Sequence, residues 1–431
     1  MGSYSLRGRE RIYYGWFILF AAFVAVFLAN GFRMAFGVFM KPMLEEFQWS
    51  RATISLAVGI NTVLHGILQP FAGRFADRYG SRNITVVGLC ILSLAAILLY
   101  FTPSLLYFYL IYGVLLALGL TSSALVIQSS LVSRWFTRRR GLALGIVSSG
   151  ASAGQLILIP LTVSLIKGVG WRITDLFFGF LILLTAVPLT LFLIKDSPAQ
   201  MGLSGEAPPA GSGSRKQPRV SPAADTLLPV SFVLKTSPFL LLSGGFFVCG
   251  YTTGIVQTHL AAYATDLGFS ASDAARLLAV MGGMNIFGTL LMGAISDKTG
   301  RKLPLALMYF LRGIALLAII FSHNLTVLYG FSIFMGFSWF ATVPLTSGLT
   351  GDIYGARNIG TLVGLMFLSH QVGSSISSYL GGLVFDLTGA YDLAFLSAAL
   401  MGMAGALASY MIQENARFFP AQVPQQVYES S

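Results

Sequence analysis

Two arginines lie inside long apolar stretches of this sequence, where a charge is costly and marks a candidate functional position. Arg33 and Arg312 are so placed, whereas the sixteen Asp and Glu residues all fall in predicted loops, tails or helix ends. A cavity with a fixed cation and no fixed carboxylate is best completed by an anionic ligand. Arg33 lies roughly 30 Å from the inner end of its segment. We expect it to bind the substrate or gate its entry rather than snorkel outward; for Arg312 we favour a satisfied packing role.

Three histidines inside apolar segments supply chemistry for carrying a proton. His65 and His370 lie about 20 Å deep, near the midplane, and His259 lies near an outer helix end. With no buried carboxylate expected, histidine is the proton carrier available at neutral pH; the alternative is a hydrogen-bonded structural role. The predicted substrate site combines these groups with arginine, amide and aromatic neighbours: Arg33, Asn61, His65, Gln257, His259, Asn285, Trp339, His370 and Gln371.

Membrane-spanning helices must position these side chains. The chain is 55% hydrophobic and 10% charged, whereas a soluble protein carries about a quarter charged residues, so lipid must cover most of the surface. Its apolar segments have the roughly 20 residues that cross a bilayer as helices. We predict an all-α membrane protein with twelve transmembrane helices at residues 13–40, 51–73, 83–101, 105–132, 141–167, 172–194, 239–262, 272–295, 303–322, 325–351, 358–385 and 390–412.

One charged loop occurs twice, 220 positions apart, at residues 73–82 and 293–302. The same offset relates Ser50 to Ser270, each a predicted helix cap, and His65 to Asn285. Such duplication predicts two pseudo-symmetric six-helix bundles that work by alternating access. The predicted organisation is an N-terminal bundle (1–195), a Pro-, Gly- and Ser-rich linker (196–237), a C-terminal bundle (238–412) and a polar tail (413–431).

The positive charges are distributed unevenly along the chain. Twenty of the 27 Lys and Arg residues fall in segments on one predicted side, which is the positive-inside bias. This bias predicts a multi-pass protein of the cytoplasmic membrane with both termini in the cytoplasm. The same bias explains the net charge of +11, so this charge is not evidence for nucleic-acid binding. The two cysteines lie in apolar segments and are expected to pack rather than form a disulfide or bind metal.

The duplicated loop, read as Gly-x-x-x-Asp-[Arg/Lys]-x-Gly-x-[Arg/Lys], resembles that of the major facilitator superfamily, and the resemblance covers about residues 13–412. It implies that carboxylates in the loops orient neighbouring helices at a cytoplasmic gate, with basic partners. The gating residues expected from it are Asp77, Arg78, Arg82, Asp297, Lys298 and Lys302.

Within that superfamily, three segments are similar to those of monocarboxylate and oxalate–formate porters: residues 14–42, residues 134–154, and the Gly-Trp-Arg at 170–172. The eighth helix departs from the monocarboxylate pattern because its polar member is Asn285 and it carries no arginine. The resemblance implies a monomeric secondary transporter of a small organic anion, plausibly a monocarboxylate, moved with a proton or by exchange. The alternatives are an exporter of larger amphiphilic or aromatic compounds and a non-transporting solute sensor. No cofactor, metal or enzymatic activity is expected.

Overall fold

A computed structural model describes residues 13–123, 125–136, 139–201, 228–321, 324–355 and 358–414. Most of the predicted linker and almost all of the predicted tail lie outside these residues. Within them, the structure is built from helices and turns, without strands.

The N-terminal half (residues 13–201) contains nine α-helices and two π-helical segments. The π-helical segments are Tyr109–Leu115 and Ile182–Ala186. The α-helices are α1 (Gly15–Met34), α2 (Phe36–Phe47), α3 (Arg51–Tyr79), α4 (Ser81–Leu99), α5 (Leu105–Phe108), α6 (Leu116–Ser122), α7 (Leu125–Trp135), α8 (Arg140–Leu181) and α9 (Val187–Leu193). A short 3₁₀ turn, Pro198–Met201, follows.

The described C-terminal half (residues 228–414) contains eight α-helices, of which the first is a single turn. They are α10 (Val230–Val233), α11 (Ser237–Asp266), α12 (Ala271–Thr299), α13 (Lys302–Phe321), α14 (Leu325–Trp339), α15 (Thr342–Tyr354), α16 (Ile359–Thr388) and α17 (Asp392–Met411).

Eleven helical stretches of the described chain are long and apolar enough to cross a membrane. One of them, Leu142–Leu193, has 52 residues, which span about 78 Å at 1.5 Å per residue. Gly170, at φ 82° and ψ 164°, bends this stretch into two helices. The described residues therefore supply twelve helical crossings, and the predicted class of two six-helix bundles is confirmed.

Three helices predicted to be continuous are interrupted, so their predicted bounds are wrong. The first breaks at Ala35, between α1 and α2, and the fourth breaks after α6, where the Ser123 hydroxyl donates to the carbonyl oxygens of Gly119 and Leu120. The tenth breaks between α14 and α15, at Phe340 and Ala341. Pro344 explains this last break because it lacks the N–H that would continue the helix to Phe340.

The two ends of the bundle differ in sequence and structure. At one end, which we call the cap end, Ser50 accepts a hydrogen bond from Thr53 N and Ser270 forms a capping box with Asp273, as predicted. At the other, the loop end, α3 and α12 stop at Gly80 and Gly300, whose φ of 89° and 80° favours glycine.

The halves touch at the cap end and are separated at the loop end. A Cβ placed on Gly382 of α16 would lie 2.7 Å from the Arg51 carbonyl of α3. Towards the loop end, a Cβ on Gly73, Gly145 or Gly364 would meet nothing within 4 Å. Contact between the halves is therefore close at the cap end, and these three glycines have open space beside them.

Candidate substrate pocket and the contacts between the two halves

A narrow pocket surrounds Arg33. All of its lining residues belong to the N-terminal half: Phe32, Arg33, Phe36, Phe39, Met43, Leu99, Phe108, Tyr112, Leu116, Trp171 and Asp175. The break at Ala35 lets α1 and α2 supply residues from both sides of a bend. Six of the eleven side chains are aromatic, so the pocket combines an apolar wall with a few polar groups, as small-molecule sites do.

Within the described residues, Arg33 has no hydrogen bond to another side chain or carbonyl and no carboxylate within 4.0 Å. Its guanidinium therefore keeps its donors available to a ligand. Asp175 lines the same pocket and is only 5% exposed. The expectation of a cavity without a fixed carboxylate was wrong, because the bend at Gly170 turns the start of the sixth crossing, and Asp175 with it, into the bundle.

Asn61 and His65 lie on α3, behind the pocket. Asn61 Nδ2 donates to the Tyr112 carbonyl at 2.8 Å, within the π-helical segment, a kind of turn that is frequent at functional sites. Thr121 Oγ1 donates to Ala117 O, so it accepts from His65 Nδ1 at 3.0 Å. Gln69 Nε2 donates to His65 Nε2 at 3.0 Å. Both nitrogens of this imidazole are thus engaged.

His370 and Gln371 lie on α16 at the seam with α3. His370 Nδ1 donates to Gln371 Oε1 at 3.1 Å, and Gln371 Nε2 donates to the Thr62 carbonyl of α3 at 3.3 Å. One turn further along, Ser375 Oγ donates to the Gly59 carbonyl at 3.0 Å. Side chains of one half thus bond to the backbone of the other. Gln257, on α11, is half-buried, and its backbone carbonyl packs closely against Gly37 of α2.

A related arrangement joins α8 and α12 at the opposite seam. Gln155 Nε2 donates to the Leu278 carbonyl at 3.1 Å. Asn285 Nδ2 donates to Ser152 Oγ at 3.1 Å, and its Oδ1 accepts from Phe340 N at 3.1 Å. Asn285 thus joins the halves and also satisfies an amide at the α14–α15 break.

Arg312 holds the other side of that break. It is fully buried, and its Nη2 donates to the carbonyls of Ser338 at 2.5 Å and Trp339 at 3.5 Å. Its Nη1 donates to Thr252 Oγ1 at 3.1 Å. These carbonyls form the negative end of α14, where a cation is stabilising. Arg312 is thus buried and hydrogen-bonded, the arrangement that the favoured packing role predicts, and Trp339 is buried beside it.

At the cap end, Arg51 joins the halves through polar contacts. Its Nη1 donates to Asp266 Oδ2 and to the Tyr391 hydroxyl, both at 2.6 Å, and its guanidinium lies 3.6 Å from the centroid of the Phe385 ring. Asp386 accepts from the backbone N–H groups of Arg51 and Ala52 at 3.1 and 2.7 Å. We call this group the cap-end latch; its polar members are Lys41, Arg51, Asp266, Asp386 and Tyr391.

His259 is fully buried beside the latch. Its Nε2 donates to the Ser378 carbonyl at 2.7 Å, and the Tyr391 hydroxyl donates to its Nδ1 at 3.2 Å. Like His65, it has both ring nitrogens engaged. Its place in the structure is therefore at the contact between the halves, away from the Arg33 pocket.

The predicted gating loops lie at the loop end, where the side chains of Asp77, Asp297 and Lys298 fall outside the described part of the chain. Arg78 lies over the Tyr79 ring at 5.2 Å, and Lys302 lies over the Tyr410 ring at 4.9 Å. Arg82 Nη2 donates to the Leu191 carbonyl at 2.6 Å.

Two acids at the loop end were missed by sequence reasoning. Asp196 Oδ1 accepts from Arg82 N at 3.0 Å, and Glu414 Oε1 accepts from Arg301 N at 2.7 Å, so each acid caps the helix after a repeated loop. Their near-repeat spacing in the sequence could have revealed them. Arg51 and Asp175 carried no such signal, because both were counted as ends of helices.

Two helical bundles with buried polar groups along their shared seams define a multi-pass membrane transporter. The family model described as Major Facilitator Superfamily matches residues 22–378, and the chain belongs to that superfamily.

Similar proteins agree with this assignment. An uncharacterized MFS-type transporter of Bacillus subtilis, YcxA, is 32% identical over 88% of this chain and 90% of its own. Monocarboxylate transporter 13 of Bos taurus is 26% identical over 91% of this chain and 88% of its own. The crystal structure of a bacterial homolog of the human lysosomal transporter Spinster, inward-facing and unoccupied, has a TM-score of 0.73 at 18% identity, covering 96% of this chain and 100% of that chain.

Proposed function

We propose that this transporter moves a small organic anion of the monocarboxylate class across the cytoplasmic membrane, with a proton or by exchange, as a monomer in the bilayer. The observation that carries the proposal is the contrast between its two intramembrane arginines. Arg312 donates hydrogen bonds to backbone and hydroxyl groups, whereas Arg33 faces an aromatic pocket and its donors have no partner among the described residues. A carboxylate is the ligand that a guanidinium binds in bidentate geometry.

The relatives add support, since Monocarboxylate transporter 13 aligns over most of the chain. The positive-inside bias assigns the loop end to the cytoplasm. On that orientation the structure corresponds to a cytoplasm-open state, held by the cap-end latch. Rocking of the halves would break the latch, close the loop end and expose the site to the other side.

The test is uptake of radiolabelled formate, lactate, pyruvate and benzoate into proteoliposomes, with and without an inward-acid pH gradient. Wild type should accumulate at least one of these acids, and Arg33→Ala should lose that accumulation. Arg312→Lys, which keeps the other intramembrane charge, separates a general effect of altering a cation from the effect at the pocket. Uptake that ignores Arg33, or none of any acid, would refute the anion assignment.

The second candidate is an exporter of larger amphiphilic or aromatic compounds. The aromatic lining of the pocket and the presence of Asp175, which offsets the charge of Arg33, favour it. Under this alternative, transport would be independent of the pH gradient and would accept many unrelated aromatic compounds. The same proteoliposomes, loaded with a fluorescent aromatic dye, distinguish the two.

A further inference from the structure

We propose that Asp175 carries the proton that is transported with the anion. This inference rests on the function proposed above. Asp175 lies on α8 just beyond the bend at Gly170 and lines the Arg33 pocket. It is 5% exposed, and among the described residues it has neither a hydrogen bond nor a cation within 4.0 Å. A carboxylate buried without such partners binds a proton more readily than one in water.

The neighbouring arginine on the same helix is committed elsewhere. Arg172 Nε and Nη2 donate to Glu46 Oε1 at 2.9 and 2.7 Å, and its Nη1 donates to the Tyr100 carbonyl at 2.6 Å. Trp171 Nε1 donates to Glu46 Oε2 at 2.6 Å. Arg172 and Glu46 therefore form a charge pair with each other at the cap end. Arg172 does not pair with Asp175, which lines the pocket.

The titratable groups that face Asp175 from the other elements are few. Arg33 comes from α1, and Tyr112 comes from the π-helical segment and interacts electrostatically with both Arg33 and Asp175. Glu46 comes from α2 and is neutralised by Arg172. His65 and His259 use both ring nitrogens in hydrogen bonds. Of the carboxyl groups and histidines in the described structure, Asp175 is the one that lines the Arg33 pocket.

This arrangement couples the two movements by charge. An anion bound at Arg33 brings a second negative charge into the pocket, which strengthens proton binding by the Asp175 carboxylate. When the pocket opens on the other side, the anion leaves, the proton dissociates from the carboxyl oxygen, and the carboxylate is restored. One proton and one anionic charge cross together, so transport is electroneutral and indifferent to membrane potential.

Asp175→Asn in the full-length chain tests this, using the acid of the panel that wild type accumulates. The amide keeps the shape of the side chain but cannot cycle a proton. We expect loss of the stimulation by an inward-acid gradient, while exchange of labelled for unlabelled acid persists and its rate no longer depends on pH. Asp175→Glu should retain the gradient response. Asp392→Asn, the same change at an exposed acid of α17, should behave as wild type.

The outcomes separate this inference from the proposed function. If Asp175→Asn still accumulates acid in response to the gradient, the proton uses another group and the inference is wrong, although anion transport stands. The inference is also overturned if this variant loses exchange together with accumulation, because the residue then serves binding or folding. If wild type exchanges acid but shows no gradient-driven uptake, the inference alone fails; if it neither takes up nor exchanges any acid of the panel, both fail.

Discussion

The cap-end latch predicts that Arg51→Gln shifts this protein towards a state open at the cap end. Arg51 donates to Asp266 and to Tyr391, and its guanidinium stacks on the Phe385 ring. Each of these partners belongs to the C-terminal half. When the halves separate at this end, all three contacts are lost together. They therefore stabilise the cap-closed state and contribute nothing to the cap-open state.

The size of the effect follows from burial. Removing one member of a fully buried charge pair costs about 3–5 kcal/mol. The Arg51 side chain is 10% exposed and that of Asp266 is 25% exposed. Because solvent screens the more exposed partner, we expect about 2–3 kcal/mol. That loss lowers the ratio of cap-closed to cap-open molecules by about 30- to 150-fold, since about 1.4 kcal/mol is a factor of ten.

Distances between spin labels measure this ratio directly. Labels at Glu45 and Leu387, both exposed at the cap end of opposite halves, report separation there in a chain carrying Cys90→Ser. The matched control is Arg276→Gln. Arg276 is also a cap-end arginine with an ion pair, but its partner Asp273 lies in the same helix, and its side chain is 66% exposed.

We expect Arg51→Gln to populate a longer distance and Arg276→Gln to leave the distribution unchanged. Arg51→Lys should fall between them, since an ammonium keeps the charge but loses the planar stacking and forked donors. An unchanged distribution in Arg51→Gln would refute the latch. An equal shift in both variants would show that general cap-end charge, rather than contact between the halves, is responsible.

Arg312→Leu should lower the free energy of unfolding by about 3–5 kcal/mol because it leaves buried carbonyls without their hydrogen-bond donor. Arg33→Leu should abolish transport with little change in melting temperature in detergent. Equal destabilisation by the two variants would contradict a structural role for Arg312 and a ligand-binding role for Arg33. Gly382→Val should lengthen the cap-end distance because its side chain meets backbone at 2.7 Å, while Gly364→Val on the same helix meets nothing within 4 Å and should not; a shorter or unchanged distance in Gly382→Val would be inconsistent with close packing there. Burial opposes ionisation of Glu46, but hydrogen bonds from Arg172 and Trp171 outweigh this effect and lower its pKa. The stability that Glu46 contributes is therefore present above its unfolded pKa and lost as pH falls through the lower folded value. Melting temperature measured against pH should show this loss in wild type, and the same loss in Glu46→Gln would assign it to another group.

The family-like segments of the sequence pack as helix ends. Tyr13 Oη donates to the Trp135 carbonyl at 2.5 Å, and Trp135 Nε1 donates to the Lys195 carbonyl at 2.8 Å. Trp16 packs edge-on against Phe136. The first and second of the three segments therefore meet at the loop end and fix the ends of three crossings. The first segment also lines the Arg33 pocket further along the chain, through Phe36 and Phe39, and the third lines it through Trp171.

Sequence alone determined the class of fold, because its signals are local and repeated. Apolar length predicts a membrane crossing wherever it occurs, and the 220-residue offset relates the two halves without knowledge of any contact. The serine caps at Ser50 and Ser270 followed from residue type before an apolar run. The arginine of the pocket was also visible, since an arginine within an apolar segment is costly wherever it faces.

Tertiary structure decided which polar groups meet. Position along a helix gives depth but does not say which neighbours a side chain faces. The sequence favoured a packing role for Arg312 without naming its partners, and the α14–α15 break supplies them as carbonyl groups. Asp175 stood at a predicted helix end, and only the bend at Gly170 and the packing of α1 and the π-helical segment bury it beside Arg33. The partners of Arg51 lie more than two hundred residues away in the chain, and such contacts exist only once the two halves have closed on each other.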